Sequence, residues 1–336
     1  MRHYQGLLAT TLVSGLALAA GSKLAMAETA AEFYKGKTIT SISGFGEDAV
    51  ITIFSRIAAP YISKFTGARV IVKPMSGGGG TLARNHMFQA KPDGLTICLT
   101  GHGPKILTSG LFELQGVRYD WSKFTFLGKT IATNTAVIVS KKSPWTKPSD
   151  IGAAKFNYGE SSPFFGPLFA EAYGWKNMTI IPGYRSTTGR AVAISRGELQ
   201  AGTASAQTIV ANPDLVMPLV FAFPDKGFPG TASLAGGVAS GGKKWADYIE
   251  GWDDVQFLSY APPGIPADRA KFLESALEKM WADPKYRADL KKIKQNPAPE
   301  FVTSKKLSTF IASLSKLSAD DIKEMRFVIT KKYKKK

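Results

Sequence analysis

The stretch that most constrains this chain is Pro74-Met75-Ser76-Gly77-Gly78-Gly79-Gly80-Thr81, set between a strand-like run, Arg69-Val70-Ile71-Val72-Lys73, and a helix-like run from Leu82 to Gln89. Four successive glycines suit neither element, so the chain turns there. The turn leaves N–H groups bare at a helix start, where partial positive charge gathers and a small anion can dock. A comparable unit precedes it, with the strand Thr38 to Ser43, the loop Gly44-Phe45-Gly46-Glu47 and an amphipathic helix from about Asp48. Two such loops side by side would form one cleft. A strand before and a helix after favour ligand contact by Ser76, Gly77, Gly78 and Gly79 over a merely flexible turn.

The N-terminus indicates where the protein works. Met1-Arg2-His3 is a short basic start, Leu7 to Ala20 is an apolar core too short to span a bilayer comfortably, and Ala25-Met26-Ala27 is a small-x-small cleavage site. Residues 1–27 are therefore read as a secretory signal cleaved after Ala27, and the mature chain is expected to be soluble and periplasmic. The single cysteine, Cys98, lies in the apolar run Leu95 to Leu99 and reads as a buried thiol, so no intramolecular disulfide can form. After signal removal only His86 and His102 remain, neither in a spaced ligand cluster, so neither a metal nor a cofactor is expected.

Losing Arg2 and Lys23, and no acid, lowers the formal charge from +17 to +15. Much of the remainder sits in the last six residues, Lys331-Lys332-Tyr333-Lys334-Lys335-Lys336, which read as a solvated tail. The rest is scattered. It suits attraction of anionic solutes but forms no basic-aromatic stripe, so nucleic acid is not an expected partner.

Roughly 300 mature residues exceed what one core needs. Strand and helix units alternate through Thr38–Ser43, Asp48–Phe65, Arg69–Lys73, Thr81–Gln89 and Leu95–Thr100, which points to a parallel, helix-covered sheet. A second α/β unit follows: Phe126 to Ser140 crosses over, Phe156-Asn157-Tyr158 is a short strand, and Ser162-Pro163 resembles an N-cap with proline at the first helical position. A helix from about Thr187 to Arg196 and a strand near Gln200 to Ser205 complete it. Phe257 to Ala261 reads as a strand returning to the first unit, and the last third is mainly helical, with Thr303 capping a long final helix. The expected division is residues 28–129 plus 258–330 as one lobe, 130–257 as the other and 331–336 as a tail. A chain that leaves a domain and comes back is connected like a hinged, two-lobed binder.

The order Phe33-Tyr34-Lys35-Gly36-Lys37-Thr38-Ile39-Thr40, Gly44-Phe45-Gly46, Pro74 to Gly80 and Lys91-Pro92-Asp93-Gly94 resembles the extracytoplasmic receptors of tripartite tricarboxylate transporters, the TctC or Bug family. Further matches are Pro182-Gly183-Tyr184, Arg196-Gly197-Glu198, and Ala261-Pro262-Pro263-Gly264-Ile265-Pro266-Ala267 with Asp283-Pro284 after it. The resemblance implies a periplasmic-binding-protein fold of two α/β lobes, each a helix-covered and mostly parallel sheet. It also implies closure on a small organic carboxylate and delivery to a membrane permease. By position it implies ligand contacts from Phe45, Gly46, Glu47 and Asp48, from Ser76 to Gly79, and from the second-lobe residues Ser161, Ser162, Tyr184, Arg185 and Ser205. The chain departs from the family after Gly44-Phe45-Gly46, where Glu47-Asp48-Ala49-Val50-Ile51-Thr52 replaces a proline, further glycines and an aspartate.

Several of these residues have ordinary structural readings too. Asp48 sits where an acid caps a helix, one of Ser161 and Ser162 caps the next helix while the other faces the cleft, and Tyr184 follows Pro182-Gly183 as a lid or stacking ring. His102, in Thr100-Gly101-His102-Gly103, lines the cleft or an ordinary loop. Hydrolytic chemistry lacks its signature: Gly-x-Ser-x-Gly is absent, and neither histidine adjoins a nucleophile motif. The sequence is thus read as a monomeric, non-enzymatic receptor for a small organic acid, working with membrane permease subunits. A secreted sensory or interaction protein using the same lobes is the alternative, and a hydrolase the remotest reading.

Overall fold

The computed structural model describes residues 28–131, 134–160, 163–184, 186–293 and 297–334. In chain order the first elements are α1 (Ala30–Tyr34), β1 (Thr38–Ser43), α2 (Val50–Thr66), β2 (Arg69–Pro74), α3 (Thr81–Gln89), β3 (Thr96–Gly101), α4 (Gly103–Leu111) and β4 (Thr125–Ile131). Next come β5 (Thr135–Ser140), β6 (Phe156–Gly159), α5 (Phe165–Tyr173), β7 (Met178–Ile181), α6 (Thr187–Ser195), β8 (Ala201–Ser205), α7 (Ala206–Ala211), β9 (Val216–Phe221) and β10 (Ala232–Ser233). The chain ends with α8 (Lys243–Asp254), β11 (Leu258–Ala261), α9 (Ala267–Ala282), α10 (Pro284–Lys292), β12 (Pro297–Val302), α11 (Ser304–Leu314) and α12 (Ala319–Phe327).

Two six-stranded sheets organise these elements, ordered β12-β4-β11-β3-β1-β2 and β10-β9-β5-β8-β6-β7. The α/β class and the two-sheet organisation expected from the sequence are both observed. In the first sheet β1 runs parallel to β2 and β3, while β11 returns antiparallel between β3 and β4. In the second, β6 runs parallel to β7 and β8, and β5 lies antiparallel between β8 and β9. The β-branched run of β5 is buried almost throughout, as a central strand requires. The edge strand β2 instead exposes Arg69, Ile71 and Lys73, and its two charges discourage pairing with another sheet.

The ends of several elements differ from the sequence reading. Helix α2 starts at Val50 with Ala49 at its N-cap and no side-chain cap, so Asp48 does not cap it. Helix α5 starts at Phe165, with Phe164 rather than Ser162 at its N-cap, so Pro163 precedes the helix instead of opening it. The long final helix is two helices, because Ser318 and Asp321 form a reciprocal capping box that starts α12 afresh. The basic end is no free tail as far as Lys334. Tyr333 is buried, its carbonyl accepts the Ile180 N–H at 2.7 Å, and Lys332 pairs with Glu171 at 2.6 Å.

Among the described residues, no helix is long and apolar enough to cross a membrane. One apolar cluster runs between the sheets, from Cys98, Ile106 and Phe124 through Trp252 of α8 to Tyr158 and Phe165. The Trp252 ring meets Phe164 on one side and Phe310 of α11 on the other, at centroid distances of 5.5 and 5.3 Å. Helix α8 therefore bridges the two sheets.

Candidate functional site

Parallel strands send their following loops to one edge, where open α/β sheets bind ligands. Because β1 pairs in register with β2, from Thr38↔Arg69 to Ser43↔Pro74, the loops after Ser43 and Pro74 begin level with each other. The Met75 N–H donates to the Ser43 carbonyl at 2.7 Å and ties them together. A Cβ on Gly44 would lie 3.1 Å from the Gly80 Cα, so the two backbones touch. The first loop is pinned from below by buried Thr52, whose hydroxyl lies 2.6 Å from that of Ser43 and donates to the Phe45 carbonyl at 3.2 Å.

Gly78, Gly79 and Gly80 form a single tight helical turn with φ of 55°, 62° and 90°, in the left-handed region that glycine alone enters freely. Phe45 and Gly46 are half-buried and Ser76 to Gly79 are exposed, and the turn is closed by the Gly80 N–H donating to the Gly77 carbonyl at 2.9 Å. The structure thus brings Phe45, Gly46, Ser76, Gly77, Gly78 and Gly79 into one surface. Glu47 and Asp48 lie at its exposed rim, and Glu47 is held by Arg56, which pairs with its carboxylate and also donates to its carbonyl at 3.0 Å.

Beneath the loops is a hollow of about 10 Å³, room for a single water molecule, lined by Gly44, Phe45, Gly80, Arg84, Thr100 and His102 among others. His102 caps α4, its Nδ1 accepting the Lys105 N–H at 3.4 Å. Burial, reinforced by the positive charges of Lys105 and Arg84, pushes its imidazole down to about 4. It is a neutral acceptor at pH 7.

Arg84 is the side chain that the sequence reading missed. It is 3% exposed, donates from Nε to the Tyr119 hydroxyl at 3.1 Å, and donates from one terminal nitrogen to the Gly79 carbonyl at 3.1 Å and the Thr81 hydroxyl at 3.2 Å. Its other terminal nitrogen lies against Gly80, where a Cβ would approach to 2.7 Å. No acidic side chain pairs with it among the described residues. The only sequence signal was its place four residues after Gly80, in a helix whose other polar residues gave no reason to expect burial.

On the second sheet, Ser186 caps α6 by accepting the Gly189 N–H at 2.8 Å, and Ser205 precedes α7 with its hydroxyl 3.3 Å from that of Thr208. The half-buried Tyr184 ring packs on the apolar cluster of Ala191 and Ile194, and its carbonyl accepts from Arg190 at 2.7 Å. Arg190 is itself buried and also donates to the Thr203 carbonyl at 2.8 Å. Ser161, Ser162 and Arg185 lie outside the described residues. Buried Cys98 is pushed up to about 12 by its burial and stays a thiol.

No family model matches the chain. A UPF0065 protein of Bordetella bronchiseptica is 31% identical over 103 residues, and the chain spans only 30% of that relative's length, using 31% of its own. Whole-chain similarity comes from solved structures. A ligand-free TctC solute-binding protein from Polaromonas superposes with a TM-score of 0.67 at 16% identity, covering 88% of this chain and 99% of its own. MatC from Rhodopseudomonas palustris, solved with malate, gives 0.59 at 19% identity, covering 87% and 99%. A second Rhodopseudomonas palustris protein, solved with adipate, gives 0.61 at 16% identity, covering 87% and 97%. At such identities the likeness is one of fold, and the resemblance to TctC and Bug receptors read from the sequence is borne out at that level.

Proposed function

We propose that this chain, which has the fold of the TctC and Bug solute-binding proteins, is a periplasmic receptor that takes a small organic carboxylate and hands it to a membrane permease. In this reading residues 28–129 with 258–330 act as one lobe and 130–257 as the other, and the ligand lies between the strand ends of the two sheets. Buried Arg84 carries the argument. A buried cation without an acidic partner is costly unless something completes it, and a carboxylate accepts from a guanidinium in the strongest available geometry. The exposed glycine turn lies beside it, its Gly79 carbonyl accepting from the guanidinium. That MatC was solved with malate and the second Rhodopseudomonas palustris protein with adipate supports the same ligand class.

The test is calorimetry against mono- and dicarboxylates of two to six carbons, with Arg84→Gln and Arg84→Lys beside the wild type. At least one acid should bind the wild type. Losing a charge-assisted pair worth roughly 1.5–3 kcal/mol should weaken Arg84→Gln about 10- to 100-fold, with Arg84→Lys in between. Equal binding by folded Arg84→Gln, or no carboxylate bound by the wild type, refutes the assignment.

A further inference from the structure

Arg84 is only partly satisfied by the chain around it. Its Nε donates to the Tyr119 hydroxyl and its Nη2 to the Gly79 carbonyl and the Thr81 hydroxyl, so the fork of Nε with Nη2 and the fork of Nη1 with Nη2 are both engaged. Nη1 makes no hydrogen bond among the described residues. It lies against Gly80, which lines the hollow beneath the two glycine loops together with Gly44 and Arg84 itself. A buried guanidinium thus presents one nitrogen, with its N–H groups, to a space the size of a single water molecule.

Two more polar groups line the same hollow. Thr100 is 2% exposed, shares its face of β3 with Cys98, which also lines the hollow, and its hydroxyl makes no hydrogen bond among the described residues. His102 accepts the Lys105 N–H at Nδ1, so the neutral ring carries its proton on Nε2 and keeps a donor there. The hollow is therefore bordered by two donors and by one hydroxyl that donates or accepts. An alcohol or carbonyl oxygen satisfies all three, and the volume fits that oxygen and no more. A carboxylate, with two oxygens on one carbon, is too broad to follow it in.

We propose that the receptor selects acids oxygenated at carbon 2: the 2-hydroxy or 2-oxo oxygen enters the hollow and is held by Arg84 Nη1, His102 Nε2 and the Thr100 hydroxyl, while a carboxylate oxygen takes the other N–H of Nη1. This rests on the receptor reading above. The two oxygens stand side by side in such an acid, within reach of one nitrogen, whereas an oxygen on carbon 3 stands a bond farther off. A plain acid leaves the polar groups of the hollow without a partner, and the selectivity comes from that difference.

The test is calorimetry of the wild type with butyrate, 2-hydroxybutyrate, 2-oxobutyrate and 3-hydroxybutyrate, and with succinate beside malate. The 2-oxygenated acids should bind about tenfold or more tightly than their plain counterparts, and 3-hydroxybutyrate no better than butyrate. Thr100→Val nearly keeps the shape and removes the hydroxyl, and His102→Asn keeps an acceptor for the start of α4 and removes the outer N–H. Each should narrow the ratio between 2-hydroxybutyrate and butyrate. A wild type that binds each plain acid as tightly as its 2-oxygenated counterpart overturns the proposal and leaves the receptor reading standing. A preference that neither variant narrows also overturns it, because the 2-oxygen is then read elsewhere. A wild type that binds none of these acids overturns the receptor reading and the selectivity with it.

Discussion

Adjacent glycines in the loop after β2 have different reasons to be glycine. Gly79 has φ of 62° and open space where a Cβ would go, so Gly79→Ala should cost only the left-handed penalty of about 1–2 kcal/mol. Gly80, at φ of 90°, would in addition drive a Cβ to 2.7 Å from Arg84. Gly80→Ala should therefore be the more destabilising of the two in urea; equal effects would show that the guanidinium gives way freely. His102 makes a prediction in pH. Its folded value of about 4 lies below the ordinary 6.5, so the unfolded chain binds the proton first. Its contribution is intact above pH 6.5, declines as pH falls toward 4 and is constant below. His102→Asn, which keeps a capping acceptor without the titration, should flatten that part of the stability curve; an unchanged slope between pH 7 and 4 would assign the loss to other groups. The glycines were legible in the sequence because backbone conformation is a local demand. Arg84 and Glu160 were not, because what buries them lies elsewhere in the chain: Tyr119 under the one, Thr203 over the other.

Elements were legible where a local signal started or stopped them. Thr303 caps α11 as its position predicts, and Ser186 caps α6 and Asp283 caps α10, the latter by accepting the Lys285 N–H at 2.8 Å. The signal was misread where two local cues competed. Ser162-Pro163 looks like a helix opening, yet α5 opens at Phe165, where Glu160 supplies the acceptors that a local cap would have given. Apolar spacing through Leu307, Phe310, Ile311, Leu314 and Leu317 likewise reads as one long helix and hides the Ser318-x-x-Asp321 box that begins a new one. That box has a consequence beyond α12. Lys244 of α8 reaches Asp321 at 2.6 Å and Glu324 at 2.8 Å, so the start of α12 is fastened to the helix that bridges the sheets. Ser318→Ala should cost about 1 kcal/mol in chemical denaturation, as lost caps do, and hydrogen exchange should rise across α12 first. A rise spread evenly over the molecule would mean that α12 has no separate stability.

At the scale of the whole molecule, the sheet order explains why two distant stretches of the sequence share one sheet. Strand β11 returns between β3 and β4, so the chain crosses from the first sheet to the second near residue 134 and back near residue 257, and α8 lies across the junction. Phe257, at that return, holds a φ of 52° and packs its ring on Phe54 at 5.2 Å, a strained backbone fixed by a core contact. The sequence showed the crossings but not the bridge, because Trp252 becomes a junction residue only when Phe164 and Phe310 arrive from elsewhere in the chain. Trp252→Ala should cost about 3–5 kcal/mol as a fully buried large-to-small change. Its indole N–H has no hydrogen-bond partner among the described residues, so Trp252→Phe should be far milder. The same geometry bears on motion. In the receptor reading proposed above, a hollow that admits one water is too small for a carboxylate of several carbons, so the sheets or their loops part when a ligand enters. Small-angle scattering should therefore find the ligand-free protein more expanded than its saturated form. If a tight ligand leaves the profile unchanged, the two glycine loops alone open, and α8 holds the sheets at a fixed angle.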